Sequence, residues 1–324
     1  MAKTLVTGAA GFIGSCLTEA LVKAGREVRA FARYNSRNNW GWLEDSPLLG
    51  EMEVVAGDIR DFDSVHTAME GCAEVYHLAA LIGIPYSYES PLAYLRTNTE
   101  GTYNVLQSAR MRSATNVVVT STSETYGTAQ FRPITEEHPA VGQSPYAATK
   151  IGADQLALSY QRSFGLPVKI ARPFNTFGPR QSARAVIPTV AVQALSGARS
   201  IKLGNLAPTR DLTYVLDTVE GIKCIGECEA LVGQAVNICT NAEISVGELA
   251  RKIVELCDAE VELVEDVERV RPEQSEVERL RGDNTKLMEH TDWKPCHTLE
   301  EGLRLTIDWL RDHLDLYKAE LYTR

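Results

Sequence analysis

The chain has 324 residues, of which 44% are hydrophobic and 23% charged, and its formal net charge at pH 7 is −10. A chain of this length can bury one large core or two modest ones, and its acidic balance argues against binding to a nucleic-acid backbone. No apolar stretch reaches the roughly 18 residues of a membrane span, so no membrane association is expected.

Seven cysteines and six histidines are scattered along the sequence. Their spacings match neither a disulfide framework nor a metal site, so the sequence predicts reduced thiols and no bound metal. The first residues lead straight into a strand pattern, from which we expect no signal or transit segment and a cytoplasmic protein.

The N-terminal pattern is that of a dinucleotide-binding unit. Residues 3–7 read as a buried strand, residues 15–25 as a helix and residues 27–31 as a second strand. Three glycines connect the first strand to the helix: Gly8, Gly11 and Gly14. The first turns the chain tightly, the second lets the backbone approach a pyrophosphate, and the third lets helix and strand pack closely. The helix N-terminus then offers N–H groups and a favourable dipole to the phosphates.

The end of the second strand bears on the choice of nicotinamide cofactor. NAD-binding folds usually place a carboxylate about twenty residues after the glycines, to bind the ribose 2′-hydroxyl. Here the first acid after the strand is Glu44, and Arg33, Ser36 and Arg37 precede it. Because arginine binds phosphate through a planar fork, this segment favours the 2′-phosphate of NADP, with NAD as the alternative.

Strand-like and helical patterns alternate through the first half of the chain. Apolar runs typical of strands recur at residues 4–6, 28–31, 53–56, 75–78, 117–120 and 168–171. Helical patterns lie between them, as at residues 101–111 and 146–164. This alternation predicts an α/β fold with a doubly wound parallel (Rossmann) sheet, whose ligands bind beyond the carboxyl ends of the strands.

The alternation weakens after residue 172, where proline and arginine recur. This change predicts a smaller, mixed α/β lobe built over the ligand crevice. We therefore expect a dinucleotide-binding domain at residues 1–172, to which the chain returns at about residues 210–240, and a mainly substrate-binding lobe at residues 173–324.

A tyrosine and a lysine four residues apart indicate redox chemistry on a hydroxyl group. Tyr146 and Lys150 fall in a predicted helix, so their side chains share one face. An ammonium beside a phenol favours the phenolate, which lowers the pKa of the tyrosine toward neutrality and makes it a base. Thr122, Ser123 and Glu124 directly follow a predicted strand, which places them in the ligand crevice.

Together these motifs resemble the extended short-chain dehydrogenase/reductase family that acts on nucleotide sugars. The resemblance runs nearly from end to end. It rests on short segments spread along the chain: 8–14, 57–61, 77–80, 98–102, 121–127, 172–175, 178–180, 210–211, 271–272 and 293–295. The family resemblance also implies a homodimer. The predicted helices at residues 101–111 and 146–164 carry enough apolar residues to pair with a second copy, and equally enough only to face their own sheet.

The resemblance assigns further positions to the cofactor and substrate sites. Besides the glycine-rich loop, the basic segment and the Tyr146–Lys150 pair, it implies cofactor contacts by Phe12, Ile13, Asp58, Ile59, Leu78, Ala79, Ala80, Asn98 and Pro173. It implies contacts with a nucleotide-diphosphate sugar by Ile84, Tyr86, Glu124, Asn175, Arg184, Val186, Arg210 and Arg271. Of these, it assigns Asn175, Arg210 and Arg271 to the nucleotide diphosphate, and it implies that residues 81–86 and 180–184 shape the sugar pocket.

Glu124 favours one branch of that family. Dehydratases carry a glutamate where 4-epimerases usually carry a small residue, and the sequence Ser-Thr-Ser-Glu ending at Glu124 resembles GDP-mannose 4,6-dehydratases. Residues 35–36, 40–42, 143–145 and 178–184 are similar to the dehydratases of legionaminic-acid pathways. The resemblance implies a lyase with tightly bound NAD(P) that makes a 4-keto-6-deoxy sugar nucleotide. In the legionaminic-type branch the sugar is an N-acetylhexosamine.

The implied reaction gives each residue a role. Tyr146 removes the proton of the sugar 4-hydroxyl, Thr122 hydrogen-bonds that oxygen, and hydride passes from C4 to the nicotinamide. Glu124 removes the C5 proton and helps the 6-hydroxyl leave as water, before hydride returns to C6. Ser123 stands where glucose-type dehydratases have an aspartic acid, so Glu124 must act as base and then acid, or a water must carry the proton.

Three alternatives remain at this point. A 4-epimerase needs Tyr146 and the cofactor but leaves Glu124 idle. A 5,6-dehydratase omits the return of hydride to C6. A cofactor-binding sensor or scaffold on the same fold is disfavoured, because such proteins tend to lose the tyrosine or the lysine, and both are present here.

Overall fold

The computed structural model describes residues 3–266, 269 and 272–318. The strands within these residues, in chain order, are β1 Lys3–Thr7, β2 Val28–Arg33, β3 Glu53–Gly57, β4 Cys72–His77, β5 Asn116–Thr120, β6 Val168–Pro173, β7 Asn175–Phe177, β8 Ser200–Leu203, β9 Thr209–Arg210, β10 Leu212–Tyr214, β11 Ala235–Ile238, β12 Ile244–Ser245 and β13 Glu262–Glu265.

The helices of the same residues are α1 Phe12–Lys23, α2 Phe62–Ala68, α3 Ile84–Glu89, α4 Pro91–Tyr94, α5 Gly101–Met111, α6 Pro145–Phe164, α7 Val186–Leu195, α8 Val215–Glu227, α9 Val246–Leu256, α10 Thr285–His290 and α11 Leu299–Asp312. In this part of the chain, none of the helices is long and apolar enough to cross a membrane.

Seven strands form one parallel sheet in the order β11-β6-β5-β4-β1-β2-β3. The chain starts at β1 in the middle, builds outward to β3, and then crosses to β4 on the other side of β1. This reversal opens a crevice at the carboxyl ends of β1 and β4, which is where a doubly wound sheet binds ligands. The α/β doubly wound fold predicted from the sequence is confirmed.

Helices cover both faces of the sheet because successive residues of a strand point to opposite sides. In β1, Leu5 packs in a core with residues of α2, α5 and α6, whereas Val6 packs in another core with residues of α1 and α8. Both side chains are fully buried, and each burial of this kind contributes about 1.5–3 kcal/mol. With both faces covered, the carboxyl edge of the strands is the part left for ligands.

Clear start and stop signals define α6. Ser144 is its N-cap, and the serine hydroxyl accepts a hydrogen bond from the Ala147 amide at 3.1 Å. Pro145 occupies the first helical position, and Gly165 ends the helix in the left-handed conformation with a φ of 69°. These signals place Tyr146 in the first turn of α6.

One long helical segment runs from the start of α4 to the end of α5, because a π-helical stretch, Leu95–Glu100, joins them. Sequence patterns predict helix only from residue 101. The helix continues through Gly101. Glycine at this position is explained by packing and not by helix termination, because a Cβ there would lie 2.7 Å from Ile59 Cδ1. The π stretch carries the buried Asn98, and such stretches often mark functional sites.

The chain after β6 contributes to two regions of the molecule. β11 extends the main sheet beside β6, whereas β7 pairs with β10, β8 with β13 and β9 with β12 outside that sheet. Helices α7, α9 and α11 pack against one another in this second region. The second region carries most of the residues that the family resemblance assigns to the substrate.

Candidate active site

The glycine-rich loop leads into α1 with no side chain capping the helix. Gly11 is the N-cap, and the first turn contains no acidic residue. The amides of Phe12 and Ile13 therefore offer hydrogen bonds and a favourable dipole to an anion. Gly8 has a φ of 72°, and a Cβ there would lie 2.7 Å from the Ala79 nitrogen, so the loop tolerates no side chain at this position. These features fit the pyrophosphate of a dinucleotide.

The segment after β2 presents the predicted basic residues on the surface. Arg33, Ser36 and Arg37 are all exposed. Asn35 orders the segment, because its side-chain amide donates to the carbonyl of Asn39 at 2.8 Å and its Oδ1 accepts from the Arg37 amide at 3.0 Å. The carboxyl end of β2 is therefore followed by an ordered, positively charged turn.

Asp58 and Ile59 follow the carboxyl end of β3. Arg60 donates to the Asp58 carboxylate from Nε at 3.0 Å and from Nη2 at 2.5 Å, and this hydrogen bonding lowers the pKa of Asp58. Ile59 is buried, and Asn104 donates to its carbonyl at 2.9 Å. Both residues lie one strand away from the basic turn, at the same edge of the sheet.

Tyr146 lies in a buried pocket with two of the other predicted catalytic residues. Its ring packs edge-on against Tyr94, with the centroids 6.2 Å apart and the planes at 81°. Burial raises the pKa of Tyr146, a hydrogen bond with the Thr122 side chain opposes that rise, and the nearby Glu124 carboxylate adds to it. The fold therefore brings Thr122, Glu124 and Tyr146 together.

Lys150 shares a face of α6 with Tyr146, but its ammonium group donates to the Thr120 carbonyl at 2.7 Å. Burial lowers the pKa of Lys150, and the Asp154 carboxylate one turn further along opposes that change. The expectation that Lys150 lowers the pKa of Tyr146 toward neutrality is wrong for this structure. Burial of the phenol dominates, and the ammonium group is directed toward the end of β5.

A short 3-10 turn, Ser123–Tyr126, shapes the loop after β5. Thr122 caps this turn, because its hydroxyl accepts a hydrogen bond from the Glu124 amide at 3.2 Å. Ser123 is buried, with 3% of its surface exposed, whereas Glu124 is half-buried. The turn therefore encloses Ser123 in the protein and leaves Glu124 as the partly accessible carboxylate beside Tyr146.

Sequence reasoning missed a buried polar network beneath this loop. The Asp154 carboxylate accepts hydrogen bonds from Ser121 Oγ and from Arg172 Nη2, each at 2.8 Å. Arg172 also donates to the Tyr126 hydroxyl at 2.8 Å, and that hydroxyl donates to Asn237 Oδ1 at 2.7 Å. The network fixes both ends of the catalytic loop to α6 and β6. No local spacing signals this network, because Asp154 and Arg172 lie on different elements.

His77 at the end of β4 supports the site as a neutral ring. Burial lowers the pKa of His77 to about 3. Its Nδ1 lies 2.7 Å from Thr7 Oγ1, and its Nε2 lies 3.0 Å from Thr102 Oγ1. Because the Thr102 hydroxyl donates to the Asn98 carbonyl at 2.6 Å, the ring proton sits on Nε2 and Thr7 donates to Nδ1. This chain of hydrogen bonds ties β1, β4 and the π stretch together.

The loop after β4 is fixed beside the glycine-rich loop. The Asn98 side chain accepts from the Leu81 amide at 2.8 Å and donates to the Leu81 carbonyl at 3.0 Å. The Leu78 amide donates to the carbonyl of Thr7 at 3.1 Å, and the Ala79 amide donates to the hydroxyl of Thr7 at 3.3 Å. Ala80 lies between these anchored residues. Pro173, also predicted to contact the cofactor, is buried at the end of β6.

Several residues assigned to the sugar lie around the Tyr146 pocket. Ile84 packs with Tyr94 and Tyr146, and the Tyr86 ring lies 6.2 Å from that of Tyr94. Arg184 is close enough to Tyr94 to lower its pKa, although burial outweighs this effect. Val186 begins α7 two residues later. The sugar-end residues are therefore contributed by α3, α7 and the loop before α7.

The residues assigned to the nucleotide diphosphate lie on β7 and β9. Among the described residues, Asn175 Oδ1 is buried with no hydrogen-bond partner, which fits an acceptor reserved for a ligand donor. Arg210 donates to the Val277 carbonyl at 2.8 Å and to Glu276 Oε1 at 3.2 Å. Arg271, predicted from the sequence to join them, lies outside the described residues.

Asp211 anchors the strands that carry these residues. Its buried carboxylate accepts hydrogen bonds from the Thr240 amide at 2.8 Å, the Thr240 hydroxyl at 2.7 Å and the Gly282 amide at 3.2 Å. The Asp211 carbonyl accepts from the Asn175 amide at 3.1 Å. Burial nevertheless raises the pKa of Asp211 to about 6, from an ordinary value of 3.8.

Asp211 is expected to make the free energy of unfolding depend on pH. Because the folded state has the higher pKa, the stabilisation is fully present below about pH 4 and is lost as the pH rises through 6. A shift of this size corresponds to roughly 3 kcal/mol. Urea unfolding between pH 4 and 7 should show this slope in the wild type and lose it in Asp211→Asn. Asp308→Asn, at an exposed position of α11, should keep the wild-type slope, and an unchanged slope in Asp211→Asn would contradict the expectation.

Across the residues that the structure describes, histidine, cysteine and carboxylate side chains nowhere gather in groups of three that could hold a metal ion. The groups that could carry chemistry here are a phenol, an ammonium, a hydroxyl and a carboxylate beside a dinucleotide-binding loop. The fold and this loop define a dinucleotide-dependent α/β enzyme.

The chain belongs to the family described as GDP-mannose 4,6-dehydratase, which matches residues 5–306. It is 33% identical to the UDP-N-acetyl-α-D-glucosaminuronate decarboxylase of Bacillus cytotoxicus, over 96% of this chain and 98% of the relative. It is also 33% identical to the UDP-glucose 4-epimerase of Mycolicibacterium smegmatis, over 96% of this chain and 99% of the relative.

A similar solved structure is the dTDP-glucose 4,6-dehydratase DesIV of Streptomyces venezuelae with NAD bound. The TM-score is 0.87 at 28% identity, and the match covers 98% of this chain and 99% of that one. The resemblance to nucleotide-sugar enzymes found in the sequence is confirmed. These relatives are named for decarboxylation, epimerisation and dehydration, so family membership alone leaves the reaction to be argued from the site.

Proposed function

We propose that this enzyme is a nucleotide-sugar 4,6-dehydratase, which converts a nucleotide-diphosphate hexose to its 4-keto-6-deoxy form with loss of water. The observation that carries the proposal is the half-buried Glu124 carboxylate beside the Tyr146 phenol. Oxidation at C4 requires only the phenol, a hydroxyl partner and the cofactor. A second base beside them has a use when the C5 proton must also be removed.

The proposed cofactor site is the glycine-rich loop, the 78–80 loop and the edge of α6. A nicotinamide dinucleotide held there would supply a hydride acceptor for C4 and a hydride donor for C6. The positive charge of its oxidised ring would favour the Tyr146 phenolate and oppose the effect of burial on the tyrosine pKa. The Lys150 ammonium lies on the same face of α6 and adds positive charge to this region.

The proposed proton movements use three side chains of this chain. Tyr146 accepts the proton of the 4-hydroxyl, and Thr122 donates a hydrogen bond to the same oxygen. The 4-keto group acidifies C5, so Glu124 can remove the C5 proton and then deliver it to the departing 6-hydroxyl, which leaves as water. Hydride addition at C6 then requires a proton at C5, and the proton that Tyr146 accepted from the 4-hydroxyl balances this uptake. Because Ser123 is buried and its hydroxyl is far too weak an acid for this step, we assign the acid role to Glu124.

The substrate proposed is a nucleotide-diphosphate hexose, with residues 173–324 as the main substrate-binding part of the chain. Asn175 and Arg210 on β7 and β9 are the candidates for the diphosphate end. Ile84, Tyr86 and Arg184 are the candidates for the sugar end. Asn175 Oδ1 has no hydrogen-bond partner among the described residues. This supports the assignment, because a buried acceptor is expected to receive a hydrogen bond, here from the ligand.

A mass-spectrometric assay tests the proposed reaction. The purified protein is incubated with GDP-mannose and with the GDP-, UDP- and dTDP-linked forms of glucose and N-acetylglucosamine, first without added cofactor and then with NADP or NAD. Loss of one water from one of these substrates is the expected result. An unchanged mass with a new isomer on chromatography would instead establish a 4-epimerase, the reaction named for one 33%-identical relative.

We infer that NADP is the preferred dinucleotide, on the basis of the exposed Arg33 and Arg37 after β2. Replacing both with alanine should weaken NADP binding at least tenfold and leave NAD binding within about threefold, because charge-assisted hydrogen bonds contribute roughly 1.5–3 kcal/mol each. Calorimetric titration of both dinucleotides measures this. Arg26, which binds Glu74 away from the turn, supplies the control variant Arg26→Ala. Equal NADP and NAD affinities in the wild type would overturn the preference.

We further infer a homodimer formed through α5 and α6. Tyr103, Met111 and Phe164 on these helices are 44%, 57% and 49% exposed. Large apolar side chains grouped on two adjacent helices are typical of a surface that pairs with a second copy across a two-fold axis.

A further inference from the structure

Two segments that take no part in the proposed proton transfers, residues 40–42 and 180–181, contact the glycine-rich loop and the helix that follows it. The Trp42 amide donates to the Ala10 carbonyl at 3.1 Å. Gly41 has a φ of 57°, and a Cβ there would lie 2.6 Å from the Ala10 oxygen. The turn at residues 41–43 therefore packs directly on the loop between Gly8 and Gly11, and a side chain at position 41 would push it away.

The Trp42 side chain reaches helix α11. Its ring lies edge-on to that of Trp309 on α11, with the centroids 5.6 Å apart and the planes at 72°. Trp309 stacks on His313 at 4.1 Å and meets Tyr317 edge-on at 6.4 Å. We call Trp42, Trp309, His313 and Tyr317 the aromatic clasp. It joins a segment near the start of the chain to one about 270 residues later.

Tyr317, at the other end of the clasp, is connected to α1 through residues 180–181. The Tyr317 hydroxyl donates to the Gln181 carbonyl at 2.8 Å. Arg180, the preceding residue, donates to Ser15 Oγ at 3.1 Å and to Glu19 Oε1 at 2.9 Å, both on α1. The contacts thus form a closed ring that starts at the glycine-rich loop, passes through α11 and the 180–181 loop, and ends on the first turns of α1.

We propose that the aromatic clasp is a positioning device for the dinucleotide, which holds the glycine-rich loop in its binding geometry and thereby slows cofactor release. The inference rests on the proposed function in one respect only, that a nicotinamide dinucleotide binds this loop. A loop held in place before binding loses less conformational freedom when the ligand arrives, so affinity rises without any contact from the clasp itself. The clasp residues are positioning residues and take no part in proton transfer.

A double-mutant cycle on cofactor binding tests this proposal. Trp42→Ala, Trp309→Ala and the double variant are titrated with NADP and NAD, and dissociation rates are measured by displacement. Each single variant should bind its preferred dinucleotide about three- to tenfold more weakly. The loss of affinity should come from a faster dissociation rate. Because both rings act through one contact, the double variant should be no weaker than the weaker single variant.

Controls separate the clasp from general destabilisation. Leu305→Ala removes an exposed apolar side chain from the same helix and should leave cofactor affinity unchanged, while Trp309→Phe should restore most of it. Tyr317→Phe removes only the hydrogen bond to Gln181, which provides a mild variant if Trp309→Ala does not fold. Affinities in both tryptophan variants equal to that of Leu305→Ala would overturn the proposal, as would effects that add in the double variant.

The test of the aromatic clasp can fail or succeed independently of the test of the proposed dehydratase function. Cofactor release is read without substrate, whereas dehydration is read as loss of water. If the wild type binds a dinucleotide but dehydrates no sugar nucleotide, the proposed dehydratase function is wrong. The double-mutant cycle then still tests the proposed role of the aromatic clasp. A wild type that binds neither dinucleotide would overturn the clasp directly.

Discussion

Tyr146→Phe is expected to reduce turnover of the sugar nucleotide by about 10²- to 10⁴-fold, the range that a positioned proton acceptor contributes. The phenol is 7% exposed and lies beside Thr122, so bulk water cannot readily take over its role. Phenylalanine keeps the edge-on packing against Tyr94 and removes only the oxygen. Initial rates of product formation, followed by mass spectrometry, measure the loss.

Tyr160→Phe is the matched control for this prediction. Tyr160 lies on the same helix, is 6% exposed, and donates its hydroxyl to Gln107 Oε1 at 3.0 Å, away from the crevice. This variant should lose a hydrogen bond worth about 1 kcal/mol and keep near-wild-type turnover. Dinucleotide affinity should stay within about threefold in both variants. A Tyr146→Phe enzyme with the turnover of Tyr160→Phe would remove the phenol from the mechanism.

The strands of the main sheet that lie before residue 174 could be predicted because each is a short apolar run between turn residues. The predicted runs agree with β1 to β6 to within about three residues at either end. β11 was not among the predicted strands, although the expected return of the chain to the first domain at about residues 210–240 includes it. The strand has only four residues, one of which is the buried Asn237, so its apolar run is too short to be recognised from the sequence.

In the candidate active site, too, features set by local helix geometry could be predicted, whereas features set by contacts between distant elements could not. A spacing of four placed Tyr146 and Lys150 on one face of α6, since that follows from helix geometry alone. The direction of the long lysine side chain is set by Thr120 on another element, so the expected effect on the tyrosine pKa did not follow. The buried Asp154–Arg172 pair likewise depends on β6 lying beneath α6.

Glu124→Gln is expected to separate dehydration from epimerisation, because it leaves the Tyr146 machinery intact and removes the second base. Water elimination should fall by about 10²- to 10⁴-fold. Oxidation at C4 should persist, so reduced nicotinamide, seen by its absorbance near 340 nm, should accumulate with the stalled substrate. Exchange of the C5 hydrogen in deuterated water should be lost together with elimination.

Glu137→Gln, at an exposed position outside the catalytic turn, is the control and should match the wild type in all three measurements. The pair of variants distinguishes the reactions because only dehydration needs proton removal at C5. If Glu124→Gln keeps most of the activity and C5 never exchanges in the wild type, the carboxylate beside Tyr146 is not a base and the enzyme is an epimerase. If C5 exchange survives in Glu124→Gln while water loss stops, another group removes the proton and Glu124 acts only as the acid for the departing hydroxyl.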